Sequence, residues 1–270
     1  MIRSALLLSS FFILLGCHPN RDHAKSEGAF VKTVYPTSDT LPENLLRMYV
    51  KFSEPMKTVG NLERIVLRDS DKQKIKGAIF NNVYELWSPD QKELTLLPDP
   101  ARVKTGLIAN ETLGRALVPG RYYELVIEGL ENIQHQKMAE VFTKRFYITS
   151  ADTLAPNINN WMISAPVSDT HNMLTLRFPD ALDQHSLQQR IAVVKDDDTL
   201  VEGNVSLAKG EKEWQFTPLK SWKAGLYFIY VNARLEDPAG NNLNGLFDHK
   251  IGDLRYEKEG ENLRLSFEVK

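Results

Sequence analysis

The chain has 270 residues, with 33 basic against 35 acidic side chains and a formal charge of −2. Both signs are mixed along the sequence, which leaves no basic field for nucleic acid, and a single cysteine excludes an internal disulfide, a cysteine-built zinc site and, once that cysteine is otherwise engaged, a thiol nucleophile. Stability must therefore come from core burial, and roughly 250 residues suffice for two domains of ordinary size.

Met1 to Gly16 carries one basic residue, Arg3, then an apolar run from Ala5 to Leu15 broken only by Ser9 and Ser10, then a small residue before Cys17. That is the three-part layout of a secretory signal peptide. The run falls short of the roughly 20 residues that a membrane-spanning helix needs. Removal of residues 1–16 takes away Arg3 alone among the charged residues and moves the net charge from −2 to −3. Leu14-Leu15-Gly16-Cys17 also resembles the bacterial lipobox. The resemblance implies that Cys17 is lipidated and becomes the first residue of a membrane-tethered chain, held by several acyl chains where one would grip only marginally. An ordinary signal peptide with a chance cysteine is the alternative. His18 follows Cys17, where an aspartate acts as a retention signal in some bacteria, which points to the outer membrane in a cell that has one. Residues 17–29 are polar, without periodicity, and read as a flexible tether.

The body contains an internal repeat. Leu46, Met48, Val50 and Phe52 alternate with Arg47, Tyr49 and Lys51, as Leu174, Leu176 and Phe178 alternate with Thr175 and Arg177; strict period two places one face in a core and the other in water. Ile65–Asp69 is echoed by Ile191–Lys195, Leu94–Pro98 by Trp214–Pro218, and the Gly120-led strand through Tyr123, Leu125 and Ile127 by the Gly225-led strand through Tyr227, Ile229 and Val231. Seven or so short strands per copy, with turn signals between them and no long helix, predict an all-β chain of two tandem Ig-like β-sandwiches, at 30–150 and 157–270. Thr149 to Pro156 reads as the linker. Leu263, Leu265 and Phe267 alternate in what reads as the closing strand, and Asp248 to Gly260 as a charged loop.

Phe-Ser-Glu-Pro-Met from Phe52, Leu-Thr-Leu-Leu-Pro from Leu94, Gly-Arg-Tyr-Tyr-Glu-Leu from Gly120 and Asp-Pro-Ala-Gly-Asn from Asp237 together resemble the bacterial Ig-like domain first described in S-layer proteins. Runs such as Leu41–Leu45, Glu85–Trp87 and Arg102–Leu107 are similar to a family of two-domain secreted bacterial proteins. The resemblance implies a fold and brings no catalytic residue.

Chemistry-bearing patterns are sparse. The six histidines have no metal-ligand spacing and read as surface residues, and no nucleophile elbow, P-loop or dinucleotide loop occurs. Asp196-Asp197-Asp198 and Asp237–Asn242 read as hairpin turns rather than calcium loops. No cofactor or metal is expected, and the chain is not expected to be an enzyme. Leu107 to Gly120 is an insertion without counterpart in the second copy, rimmed by Arg102, Lys104, Arg115 and Arg121. Those four are the candidate binding residues for an anionic glycan or acidic protein partner. The other reading of loop 107–120 is a strap that packs Leu107, Ile108, Leu113, Leu117 and Val118 on the first core. Trp87 is either a sugar-stacking face or a core residue. Two functions fit: a non-catalytic envelope lipoprotein for adhesion, spacing or assembly with a protein or glycan partner, or an accessory or substrate-binding subunit of an envelope enzyme system.

Overall fold

The computed structural model describes residues 28–81, 84–249 and 260–270. The leader at 1–16, Cys17 and the tether up to residue 27 lie outside them, as does most of the 248–260 loop.

The first sandwich places β1 (Val31–Tyr35), β3 (Met48–Phe52), β6 (Glu93–Leu96) and β5 (Leu86–Trp87) in one sheet, in that order. Facing it is a sheet ordered β2 (Thr40–Pro42), β8 (Phe142–Thr149), β7 (Tyr122–Ile127), β4 (Ile65–Asp69). The second sandwich pairs β12 (Gly203–Ala208), β13 (Glu213–Pro218), β10 (Leu174–Arg177) and β9 (Met162–Ser164) in one sheet, and β11 (Ile191–Lys195), β14 (Gly225–Val231) and β15 (Leu263–Val269) in the other. Every pairing between these strands is antiparallel except β2 with β8. The chain is thus all-β. Among the described residues three short α-helices, α1 (Pro100–Val103), α2 (Ile108–Leu113) and α3 (Gln184–Gln189), lie in the connections.

The period-two pattern buries one residue set from each strand. Val50, Phe52, Leu94, Leu125, Phe146 and Ile148 meet in the first core, and Leu174, Leu176, Trp214, Trp222, Ile229 and Phe267 in the second. Each such side chain contributes about 1.5–3 kcal/mol of apolar burial.

The repeat extends to individual hydrogen bonds. After β3, Phe52 N donates to Lys92 O and Met56 N to Gln91 O; after β10, Phe178 N donates to Lys212 O and Leu182 N to Glu211 O. Gln91 and Glu211, at the matching turns, share a left-handed backbone, φ +59° and +60°. Tyr123 Oη accepts from Val118 N at 2.9 Å while its ring stacks on Phe146, and Tyr227 Oη accepts from Lys223 N at 3.2 Å while its ring stacks on Phe267.

One correspondence is absent from the sequence pattern. Asp237 Oδ1 accepts from Ala239 N and Asn241 N, and Asn132 Oδ1 accepts from Gln134 N and Gln136 N. The two loops have one geometry. Gly240 supplies φ +80° in the second, and His135 takes φ +65° in the first.

Alternation misplaces two residues, Thr175, which is buried at 8% exposure, and Tyr49. Tyr49, assigned by period two to the solvent face of β3, is only 4% exposed, because the second sandwich covers that face.

Candidate interaction site

The inserted segment folds as α1 and α2. Asp99 caps α1 by accepting from Ala101 N at 3.0 Å, Pro100 fits its first turn, and Gly114 ends α2 with φ +67°. The four candidate cations do not converge on one surface. Arg102 is buried, its guanidinium donating to the carbonyls of Gly114 at 2.8 Å, Lys76 and Gly77 at 3.3 Å and Leu113 at 3.4 Å. Arg115 is held between Glu43 at 2.9 Å and Asp248 at 2.6 Å. Lys104 Nζ lies 5.3 Å above the Phe247 ring, and Arg121 is exposed. Of the apolar residues in the segment, Leu117 is buried in the first core, whereas Ile108 and Leu113 face outward at 79% and 68% exposure. The segment is a strap at its base and an open apolar ridge along α2. Trp87 packs on Phe52, and its Nε1 donates to Glu85 Oε2 at 2.8 Å.

The densest polar arrangement lies where the two sandwiches meet. Tyr49 Oη donates to Asp183 Oδ2 at 2.7 Å, and Asp183 Oδ1 accepts from Ser186 N to cap α3. Arg47 pairs with Glu236 at 2.5 Å. His185 bonds Glu93 through Nε2, with its ring 4.4 Å from that of Tyr49, and Lys51 pairs with the same carboxylate at 3.3 Å. Thr37 donates through N and Oγ1 to Glu211 at 2.8 and 2.7 Å. Leu46 N donates to Pro238 O at 2.9 Å, and a Cβ at Gly240 would stand 2.5 Å from Leu46 Cδ2, so glycine at this turn lets the Leu46 side chain approach without shifting. The linker is bound into the same joint: Asp152 N donates to Asn44 Oδ1, and Asp152 O accepts from Asn44 and Asn241. His185, Tyr49 and Asp183 are the residues that sequence patterning missed, the histidine having read as a surface residue. The available signal was an aromatic at a position that alternation reserves for polar residues.

Burial shapes the electrostatics here. It raises the Tyr49 hydroxyl well above an ordinary phenol, and the Asp183 charge adds to this. Burial also raises Glu211 against the opposing hydrogen bonds from Thr37. Glu93 is held low: burial opposes ionisation, and the contacts from His185 and Lys51 outweigh it. Asp237 is raised by burial to about 7, with the nearby Asp152 charge adding to the shift and the bonds from Asn241 and Ala239 resisting it.

Away from the joint, a cleft of about 500 Å³ in the second sandwich is lined by Lys195, Leu200, Lys220, Trp222 and Lys223. Lys223 pairs with Asp169 at 2.7 Å on its rim. Asp196–Asp198 is a hairpin tip, as is Asp69–Lys72, with Asp198 and Lys72 at φ +63° and +61°. Among the described residues no three His, Cys, Asp or Glu side chains stand close enough to hold a metal ion, and no helix is long and apolar enough to cross a membrane.

No family model matches the chain, and no curated protein matches it. Solved structures with a similar course include the S-layer protein rSbsC(31-844), at 10% identity and TM-score 0.31 over 90% of this chain and 41% of that one. The chain thus spans less than half of that protein's length. A fragment of native alpha-2-macroglobulin from Escherichia coli, spanning domains MG0-NIE-MG1, matches at 12% identity and TM-score 0.29 over 91% of both chains. The N-terminal Ig1-2 module of Drosophila receptor protein tyrosine phosphatase DLAR matches at 14% and 0.24, over 77% of this chain and 93% of its own.

Proposed function

We propose that the protein is a non-catalytic envelope lipoprotein, tethered through Cys17, whose paired sandwiches act in adhesion, spacing or assembly. The observation that carries this reading is the joint. Ion pairs, a buried Tyr–Asp bond and a hydrogen-bonded linker fasten one sandwich to the other, and burial of that much polar surface at matched partners favours a fixed relation between domains over a swinging one. A fixed pair of modules on a lipid anchor suits presentation of a surface near a membrane. Within this reading the lysine-rimmed cleft at Lys195, Lys220 and Lys223 and the outward Arg121 are the places for an acidic protein or anionic glycan, since Arg102 and Arg115 are engaged inside the protein.

Two measurements test it. Cells expressing the full chain and its Cys17→Ser variant are grown with labelled palmitate and fractionated; label should enter the membrane-bound wild type alone, and label in the serine variant overturns the anchor. Small-angle scattering of the chain from residue 17 onward should fit a single arrangement of the two sandwiches, whereas a broad distribution of separations overturns the rigid spacer.

A further inference from the structure

The two sandwiches treat their last strand differently. In the first, β8 is covered along its outer edge by β2, with Thr40, Leu41 and Pro42 beside Tyr147, Ile148 and Thr149. Among the described residues, the counterpart β15 has β14 as its one sheet neighbour. Among the described residues, the only other backbone bond at that strand runs from Ser168 N to Lys270 O, just past its end. A strand edge with unpaired N–H and C=O groups is a template for another strand unless its side chains forbid it.

Those side chains do not forbid a second copy. Phe267 and Val269 are buried and Leu263 and Leu265 half-buried, whereas Arg264, Ser266 and Glu268 are exposed on the opposite face. The exposed series has a positive end and a negative end, at equal steps on either side of Ser266. In an antiparallel pair with a two-fold axis at Ser266, each Arg264 stands opposite Glu268 of the other copy, and each Leu265 opposite Phe267. Opposite charges directly across an antiparallel pair attract, and like charges repel. An edge guarded by charge would carry one sign, but this one is complementary to its own reversed image. Within one copy Arg264 leans inward over the Phe228 ring of β14 and pairs with Asp198 at 3.2 Å, and Glu268 pairs with Lys270 at 3.2 Å; in the two-copy sheet each of these charges gains a second partner across the axis.

We infer that β15 is a self-association edge, joining two copies into one continuous sheet that runs β11-β14-β15 and back. The direction follows from the fold. Just before β1, Gly28 lies beside Lys137–Ala139, and just beyond the end of β1 Thr37 meets Glu211, so the chain enters the first sandwich at the end remote from the joint. β15 begins opposite Val231, the strand end that leads into the Glu236–Asn241 side of the joint, and runs away from it to Val269. Antiparallel pairing therefore sends the two Gly28 ends in opposite directions. Granted the tethered-adhesion reading above, two such copies bridge facing surfaces.

The test uses the chain from residue 17 with Cys17→Ser. Sedimentation velocity over a wide concentration range should show a monomer–dimer equilibrium. Arg264→Glu and Glu268→Arg, each placing two like-charge pairs across the axis, should weaken the dimer about tenfold or more, and the double variant should recover to within about threefold of the parent. Melting temperatures of all four proteins establish that each is folded. In the same cysteine-free background, Ser266→Cys should form a disulfide dimer on mild oxidation, because paired residues in either antiparallel position lie about 4.5–5.5 Å apart at Cα, within disulfide reach. Asn262→Cys, far from the axis, should not. A monomer at every concentration, unaltered dimerisation in the single variants, or a folded double variant that stays monomeric overturns the inference. The palmitate experiment is independent of all three outcomes, so failure of the dimer and failure of the anchor are distinguishable.

Discussion

Replacement of Asp237 by asparagine isolates one buried charge at the joint. The folded protein raises this carboxyl from 3.8 to about 7, chiefly through burial. A group whose folded pKa lies above its unfolded value contributes stability that is fully present below the unfolded value and is lost as pH rises through the folded one. Wild type should therefore weaken, relative to a variant that cannot ionise, between about pH 4 and pH 7, with no further change above. A rise of that size sets a ceiling of about 4 kcal/mol, and a difference of about 2–4 kcal/mol across the window is expected. Asparagine fits the turn, since Asn132 makes the same two backbone contacts in the first sandwich. The variant does set its amide against Asn241 Nδ2, now bonded to Asp237 Oδ2 at 2.9 Å. That loss of about 1 kcal/mol is independent of pH and leaves the slope intact. Denaturant unfolding of both proteins at about pH 4, 5, 6, 7 and 8 reads the slope directly. A stability difference that stays constant over the series refutes the assignment of a raised carboxyl at Asp237.

Tyr49→Phe removes the one hydroxyl bonded to Asp183 Oδ2 in a buried site and should cost about 2 kcal/mol by denaturant unfolding; an unchanged midpoint would show that the joint does not depend on it. Arg102→Lys cannot reach the Gly114, Gly77 and Leu113 carbonyls with one ammonium, and should lower stability by about 2 kcal/mol with no gain or loss of binding to an anionic partner. A selective loss of binding at unaltered melting temperature would return this arginine to the recognition role. Gln184 is 2% exposed, and neither of its side-chain polar atoms has a hydrogen-bond partner, so Gln184→Met should stabilise the chain by about 1–2 kcal/mol in thermal unfolding; destabilisation would mean that the amide has a use at the joint.

The cores were legible in the sequence because period two reports which face of a strand meets apolar neighbours. It does not report which apolar or polar neighbour covers the other face, and Tyr49 was misplaced for that reason. The joint draws on residues 134 and 189 positions apart, Tyr49 with Asp183 and Arg47 with Glu236, and no local pattern connects them. The loop at Asn132 escaped notice as the partner of the Asp237 loop because Glu-Asn-Ile-Gln-His-Gln has no glycine, His135 adopting the left-handed conformation in its place. Arg102 sits among cations in sequence, but the carbonyls that surround it in space decide what it does.

The uneven cover of the two closing strands also sets how the molecule bears tension. A pull that enters at Gly28 and leaves past Thr149 bears first on the β1–β3 pairing and then draws β2 backward and β8 forward. The two run parallel, so their rungs at Thr40, Leu41 and Pro42 resist together in shear, with no single rung peeled ahead of the rest. A pull that enters past Pro156 and leaves at Lys270 meets at the corresponding place, among the described residues, only the Ser168–Lys270 bond. Stretched from Gly28 and Lys270, the molecule should give way first in the second sandwich, with the first still folded and holding.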